Sequence, residues 1–304
     1  MPVQSSIAFA AVLLCFSFAT TAAEWSDTAL SWRIGNKFRE PFNPLDIRKN
    51  IFALTHASGY KYGANYFNAD LLQSDSNDPG SLAQRSGAHE AYAVYRHMLD
   101  IGKRNGQDLS WGPVTGVGLT AGLDWNTRNE VGYNARRRML VAGPTLMWKT
   151  SGFLATSLLL IDESNAPGGA FPPISEGRGR YTDALHPMLA LSWGIPVVKG
   201  VKFEGYANFI ASKGRDEVGN PTGAETNIDM QLMVDLADAL GSPKNMFRIG
   251  LEYQFWNNQV GNTAATTGNR GQRADDPRGG AFLSPVGLRK AIRSGAWPMS
   301  IKHS

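Results

Sequence analysis

The run Val117-Gly118-Leu119-Thr120-Ala121-Gly122-Leu123-Asp124-Trp125 decides the fold. Its apolar residues fall on every second position, separated by Gly, Thr and Asp. In an extended strand this spacing puts all five apolar side chains on one face and the small and polar ones on the other. A helix would scatter them around its circumference. The same period recurs in Leu30, Trp32 and Ile34, in Ile228, Met230, Leu232 and Val234, and in Phe247, Ile249, Leu251, Tyr253 and Phe255. Each of these strands has one apolar face and one too polar for a dry core.

Further strands are expected at Lys49–His56, Tyr60–Leu72, His89–Met98, Arg138–Trp148, Phe153–Asp162, Leu185–Trp193 and Val201–Ser212. Their length suits tilted strands that cross a bilayer, which need about 9–11 residues. The connections alternate. Asn36–Arg48, Gln73–Ala88, Asn126–Arg137, Glu163–Ala184 and Lys213–Ala224 are long and rich in Gly, Pro, Asn and Asp, whereas Ala57–Gly59, Lys149–Gly152, Gly194–Gly200 and Ala237–Lys244 are short. Long loops at one end and short turns at the other are the pattern of an outer-membrane barrel. Leu99–Gly112 breaks it by being long where a short turn is due. Aromatics at Trp32, Trp125, Trp148, Trp193, Phe247 and Phe255 are read as strand-end girdles. Because lipid offers a backbone no hydrogen-bond partner, such a sheet must close on itself. The fold expected is all-β: a transmembrane antiparallel β-barrel of about 12 strands.

Composition agrees. The 304 residues are 42% hydrophobic and 18% charged, with 33 Gly and 31 aromatics (8 Trp, 9 Tyr, 14 Phe), which excludes a disordered chain. A mean hydropathy of -0.25 argues against a bundle of membrane helices, and past residue 23 no apolar run approaches the required length. Ile7–Phe18 is apolar and is followed by small residues up to Ala23, so residues 1–23 read as a signal peptide and the chain as exported. The single cysteine, Cys15, lies inside it. Residues 24–258 are assigned to the barrel and 259–304 to a basic tail. That tail carries Arg270, Arg273, Arg278, Arg289, Lys290, Arg293 and Lys302 against Asp275 and Asp276. The sequence pI of about 9.1 therefore belongs to the tail, and nucleic-acid binding is not expected.

Several stretches resemble the Tsx-like family of nucleoside-specific channel-forming outer-membrane proteins. They are Lys61-Tyr62-Gly63-Ala64-Asn65-Tyr66-Phe67-Asn68-Ala69-Asp70-Leu71-Leu72-Gln73-Ser74-Asp75, Gly87–His97, Trp111-Gly112-Pro113, Arg138–Trp148 with Gly143-Pro144, and Gly250–Asn258. The resemblance spans roughly Trp25–Gly261. It implies a twelve-stranded monomeric barrel with a narrow lumen that passes nucleosides. It also implies insertion by the barrel-assembly machinery and contact with outer-membrane lipid. The chain departs from the family at its end, Trp297-Pro298-Met299-Ser300-Ile301-Lys302-His303-Ser304, which lacks a terminal aromatic. Either a strand is hidden near Gly280–Ile292, or an altered reading frame or truncation has replaced the twelfth strand.

Parity places Arg33, Asp124, Lys202, Glu204, Asn208, Asn227, Asp229, Arg248 and Glu252 on the face opposite the apolar stripe, towards a lumen. A nucleoside would need aromatic faces for its base, and Tyr62, Tyr66 and Tyr92 are the candidates taken with Arg33, Asp124, Glu204, Asn208, Asp229, Arg248 and Glu252 as solute-contacting positions. No cofactor is expected, and the histidines have no metal-ligand spacing. Two other readings stand beside the channel. A structural or receptor barrel with a plugged lumen gains if the lumen charges pair with one another. A lipid hydrolase would use Ser58 and His56, oriented by Glu90. Asp70, Asp75 and Asp78 read as part of a solvated loop.

Overall fold

The computed structural model describes residues 23–81, 87–170, 179–263, 282–285 and 288–289. The reading of residues 1–22 as a signal peptide and most of the C-terminal tail lie outside the described residues. Eleven long strands follow one another: β1 (Trp25–Phe38), β2 (Ile47–Tyr60), β3 (Gly63–Ser74), β4 (His89–Asp100), β5 (Val114–Asn129), β6 (Tyr133–Trp148), β7 (Phe153–Asn165), β8 (His186–Val198), β9 (Val201–Ile210), β10 (Glu225–Asp235) and β11 (Arg248–Asn257). A short strand, β12 (Phe282–Pro285), completes the set. Each strand pairs antiparallel with the next. β12 pairs with β11 through Leu251↔Leu283 and with β1 through Ile34↔Leu283, so the hydrogen-bonded ring closes. Leu288 and Arg289 add a second contact to β1. The protein is an all-β, closed antiparallel barrel.

The links alternate only in part: the β5–β6 link at the long-loop end is short, whereas the β4–β5 and β10–β11 links at the short-turn end span 101–113 and 236–247. The first short turn is Lys61-Tyr62, not Ala57–Gly59, because β2 continues to Tyr60 and pairs residue for residue with β3. The long connection expected at Asn126–Arg137 shrinks to three residues, since β5 and β6 each run for 16 residues. The anomalous Leu99–Gly112 link is structured. Asp100 Oδ1 accepts from the backbone N–H of Lys103 at 2.9 Å, capping the one-turn helix α1 (Ile101–Asn105), and Gly106 ends it in the left-handed region at φ 67°. A side-chain acceptor at the N-cap and a glycine beyond the C-terminus are the ordinary start and stop signals of a helix.

The distribution of polarity is inverted relative to a water-soluble barrel. On β5, Asp124 is 8% exposed, while the neighbouring Trp125 is 44% exposed. Thr120, Asn126 and Arg128 are buried with Asp124, and Leu123 is exposed with Trp125. Leu30, Phe52, Leu71, Leu158, Leu189, Phe209, Leu232 and Leu251 continue the outward apolar surface around the ring. Along β5 it runs from Val117 to Trp125. Eight steps of about 3.3 Å at a tilt near 40° give a band roughly 20 Å tall, close to the apolar height of outer-membrane barrels.

Two expectations about side-chain placement need correction. Trp32 lies in the middle of β1, because that strand begins at Trp25, and it stacks on Phe52 with ring centroids 6.2 Å apart. The strict alternation also fails on β7, where Leu158-Leu159-Leu160-Ile161 is apolar on both faces. Leu158 is 57% exposed, whereas Leu159 and Ile161 point inward and pack with Val141 and Met188. One side of the interior is therefore filled with hydrocarbon. At the short-turn end an outward polar-aromatic cluster forms: Tyr60 stacks on His97, and Tyr95 Oη donates to Asn65 Oδ1 at 2.8 Å. Amphipathic rings at that height suit a membrane–water interface.

An outward charge at mid-strand tests this orientation. Leu158→Arg is expected to lower stability in lipid vesicles by about 2–4 kcal/mol, measured by urea titration, while Leu158→Phe leaves it nearly unchanged. Equal behaviour of the two variants would contradict an outward, lipid-compatible Leu158.

The lumen and its charge clusters

Nine of the ten expected lumen positions lie on strands with inward parity. Tyr62 does not: it occupies the β2–β3 turn, where Lys61 and Arg104 lie over its ring at 5.0 and 5.7 Å. Its aromatic face is already covered by cations, so it is removed from the lumen set.

Arg33 organises the first cluster. From β1 its guanidinium reaches Asp70 on β3 at 2.8 Å and Glu252 on β11 at 3.0 Å. Asp229 on β10 stands beside Glu252 and Arg33. Asp70 is thus a lumen residue and not part of a solvated loop. The second cluster joins β4 and β5, where Tyr92 Oη donates to Asp124 Oδ2 at 2.7 Å and Arg96 donates to Asp124 Oδ1. Gly122 makes room for it, because a Cβ there would sit 2.7 Å from Arg96 Cδ and 2.2 Å from the Tyr95 carbonyl oxygen. In the third, Arg248 on β11 pairs with Glu204 on β9. Asn208 lies opposite Asn227 in the β9–β10 register.

Three tyrosines bring opposite walls together. Tyr66 on β3 is within electrostatic reach of Glu204 and Asp229 on β9 and β10, and Tyr92 on β4 is within reach of Tyr206 on β9. β3 and β4 stand on the opposite side of the twelve-stranded ring from β9 and β10, so these side chains face one another across the interior. Tyr66 nevertheless remains 43% exposed. Within its reach, Arg33 Nε is buried without a hydrogen-bond partner in the protein, as is Asn227 Oδ1 further along β10. Such atoms are expected to meet water or a solute.

Sequence parity missed the charges at the long-loop end. Arg128 on β5 contacts Glu40 in the β1–β2 loop (3.2 Å), Asp78 in the β3–β4 loop (3.3 Å) and Glu90 on β4 (3.0 Å). Lys49 Nζ also holds Glu40 at 2.6 Å. Asp78 further accepts from Ser74 Oγ and the Gly80 N–H, and its side chain is fully buried. The loop reading of Asp78 was right about the backbone and wrong about solvent. On the opposite side, Glu163 bonds Arg137 and Lys213, and Lys213 lies 3.6 Å from Asp183. Arg128, Arg137, Glu163 and Lys213 sit among polar neighbours just beyond the ends of the expected strands, so no alternation marks them.

The proposed hydrolase residues are not assembled. His56 Nδ1 bonds Thr28 Oγ1 at 2.8 Å near the short-turn end, while Glu90 is held by Asn126 and Arg128 towards the long loops. Among the described residues no group of three or more metal-ligating side chains occurs.

No known family profile matches the chain, and no curated protein is similar to it in sequence. Among solved structures, the translocator domain of the autotransporter NalP from Neisseria meningitidis is similar, with a TM-score of 0.43 and 11% identity over 93% of each chain. At that distance, function has to be read from the site itself.

The two loop-end clusters respond to pH in opposite senses. Burial pushes the Asp183 carboxyl up to about 6, more than Lys213 draws it down. Burial of Glu40 is outweighed by Lys49 and Arg128, which bring it down to about 2. The contribution of Asp183 is thus fully present below the ordinary carboxylate range and is lost as pH rises through about 6. That of Glu40 is present above its ordinary value and lost as pH falls through about 2. Hydrogen-exchange protection factors around residues 179–185, corrected for the intrinsic pH dependence of exchange, are expected to be higher at pH 5 than at pH 7.5, and Asp183→Asn should remove the difference. Arg128→Met leaves Asp78, Glu40 and Glu90, the first two of them buried, without their common partner, with an expected cost of about 3–5 kcal/mol in chemical unfolding.

Proposed function

We propose that this protein is an outer-membrane channel for small uncharged solutes with an aromatic face, of which nucleosides are the fitting class. The observation that carries the reading is the cluster that faces across the lumen: a part-exposed tyrosine ring at Tyr66 within reach of Arg33, Asp70, Glu204 and Asp229, where Arg33 Nε is buried and not satisfied by the protein. A planar base can stack on tyrosine, an interaction worth on the order of 1–3 kcal/mol, while ribose hydroxyls donate to carboxylates. Lumen arginines and carboxylates largely neutralise one another, so a neutral solute has less charge to displace than an ion does. The apolar exterior and its girdles support a bilayer location, and the division of long loops from short turns supports the orientation usual for outer-membrane barrels.

A second reading is favoured by the same ion pairs. Arg33 ties β1 to β3 and β11, and Arg248 ties β11 to β9; a lumen cross-linked in this way also suits a structural or receptor barrel that passes nothing.

Single-channel recording in a planar bilayer separates the two. The expected result is a small conductance that falls in a saturable way with adenosine or thymidine but not with ribose. Tyr66→Ala is expected to raise the half-blocking concentration about tenfold, as loss of one stacking partner implies. A folded, inserted and electrically silent protein would overturn the channel in favour of the plugged barrel.

A further inference from the structure

Arg136 and Arg138 stand exposed on the outward parity of β6, whereas Arg137 between them turns inward to Glu163. Their neighbours in the sheet are also outward. Trp125 lies opposite Arg138, Thr127 opposite Arg136, and Ser164 opposite Arg138 from the other side. A third guanidinium arrives from the loop before β8: Arg180 Nη1 donates to the Arg136 carbonyl at 2.9 Å and accepts its position from Ser164, to whose Oγ it donates at 3.1 Å. Arg180 is within electrostatic reach of both Arg136 and Arg138. Among the described residues none of the three forms an ion pair with a carboxylate. At this end Arg39 is matched with Asp46, Arg128 with three carboxylates and Arg137 with Glu163. The outward carboxylate nearest in the register, Asp162, lies one step down the sheet opposite Leu140.

Height fixes what such a patch meets. Arg138 is level in the register with the girdle residue Trp125, and Leu140 and Leu123 lie immediately towards the apolar band. Arg136 is two residues, about 7 Å, further out. On a barrel placed in a bilayer by that band, the three guanidiniums occupy the headgroup plane of the outer leaflet. Unneutralised cations crowded there repel one another, and a phosphate monoester, which accepts paired N–H donors from guanidinium groups, relieves the repulsion. We propose that Arg136, Arg138 and Arg180 form a binding site for the phosphorylated headgroup of a membrane glycolipid in the outer leaflet. The inference rests on the bilayer location argued above but not on conduction through the lumen.

The test uses the full chain refolded into phosphatidylcholine vesicles containing bisphosphorylated lipid A, dephosphorylated lipid A, or neither. The expected result is a thermal unfolding midpoint several degrees higher with the phosphorylated lipid alone. In R136Q/R138Q/R180Q that shift should vanish while the midpoint in pure phosphatidylcholine stays at the wild-type value. Should the triple variant fail to fold, R180Q, which alters only a loop residue, should reduce the shift. Equal midpoints with both lipid A forms, or an unchanged shift in the variants, would overturn the site. A full shift produced by excess inorganic phosphate in pure phosphatidylcholine would overturn the lipid as its occupant. A wild-type chain that inserts into none of the vesicles would remove the bilayer premise and this site with it, whereas insertion without conductance would remove only the channel.

Discussion

Backbone pairing around a closed ring is the constraint on which the rest of this structure depends. In hydrocarbon an unpaired N–H or C=O costs several kcal/mol, so a strand with an apolar outer face needs a partner on each edge. Here the chain supplies eleven long strands in sequence order and a four-residue strand, Phe282–Pro285, that bridges the last of them to the first. Once the ring closes, the pleat forces alternate residues inward. Whatever is polar in the sequence then either lines the lumen or collects at the ends.

That inward crowding explains the charge chemistry. Arginines placed in a narrow interior cannot be left bare, because burial of an isolated charge is far more expensive than burial of a pair. Arg33, Arg96, Arg128, Arg137 and Arg248 each contact a carboxylate. Local packing serves these contacts, as at Gly122, where the missing side chain lets Arg96 cross to Asp124. The exceptions are informative: the buried atoms without a partner include Arg33 Nε in the cluster that faces Tyr66, and on the outer rim Arg136, Arg138 and Arg180 form no ion pair among the described residues.

Much of this was legible in the sequence, and the limits have physical causes. Period-two alternation gave the strands and most of the inward set, because the pleat enforces it wherever a strand is regular. It misplaced Tyr62, since a turn that ends three residues later than expected takes that residue out of the sheet. It missed Arg128, Glu163 and Lys213, because polar residues at a strand end look like loop in one dimension and become a buried cluster only when two loops fold back over them. It could not assign Leu159 and Ile161, because an unbroken apolar run has no parity to read. Tyr66 and Tyr92 were named as candidates without a means of ranking them, because which of them keeps an open face depends on side chains from strands more than a hundred residues away.

The apolar packing of Leu159, Ile161, Val141 and Met188 against the inner wall moves the polar part of the interior off the barrel's axis. Polar side chains line the opposite arc, from β1 through β5 and from β9 to β11, so the solute path proposed above would be eccentric. It would run in a crescent bounded by a hydrocarbon buttress on one side and by charge on the other. A molecule with one greasy face and one hydroxylated edge would keep a fixed orientation throughout such a crescent, so the barrel would sort solutes by their two-sidedness as well as by their width.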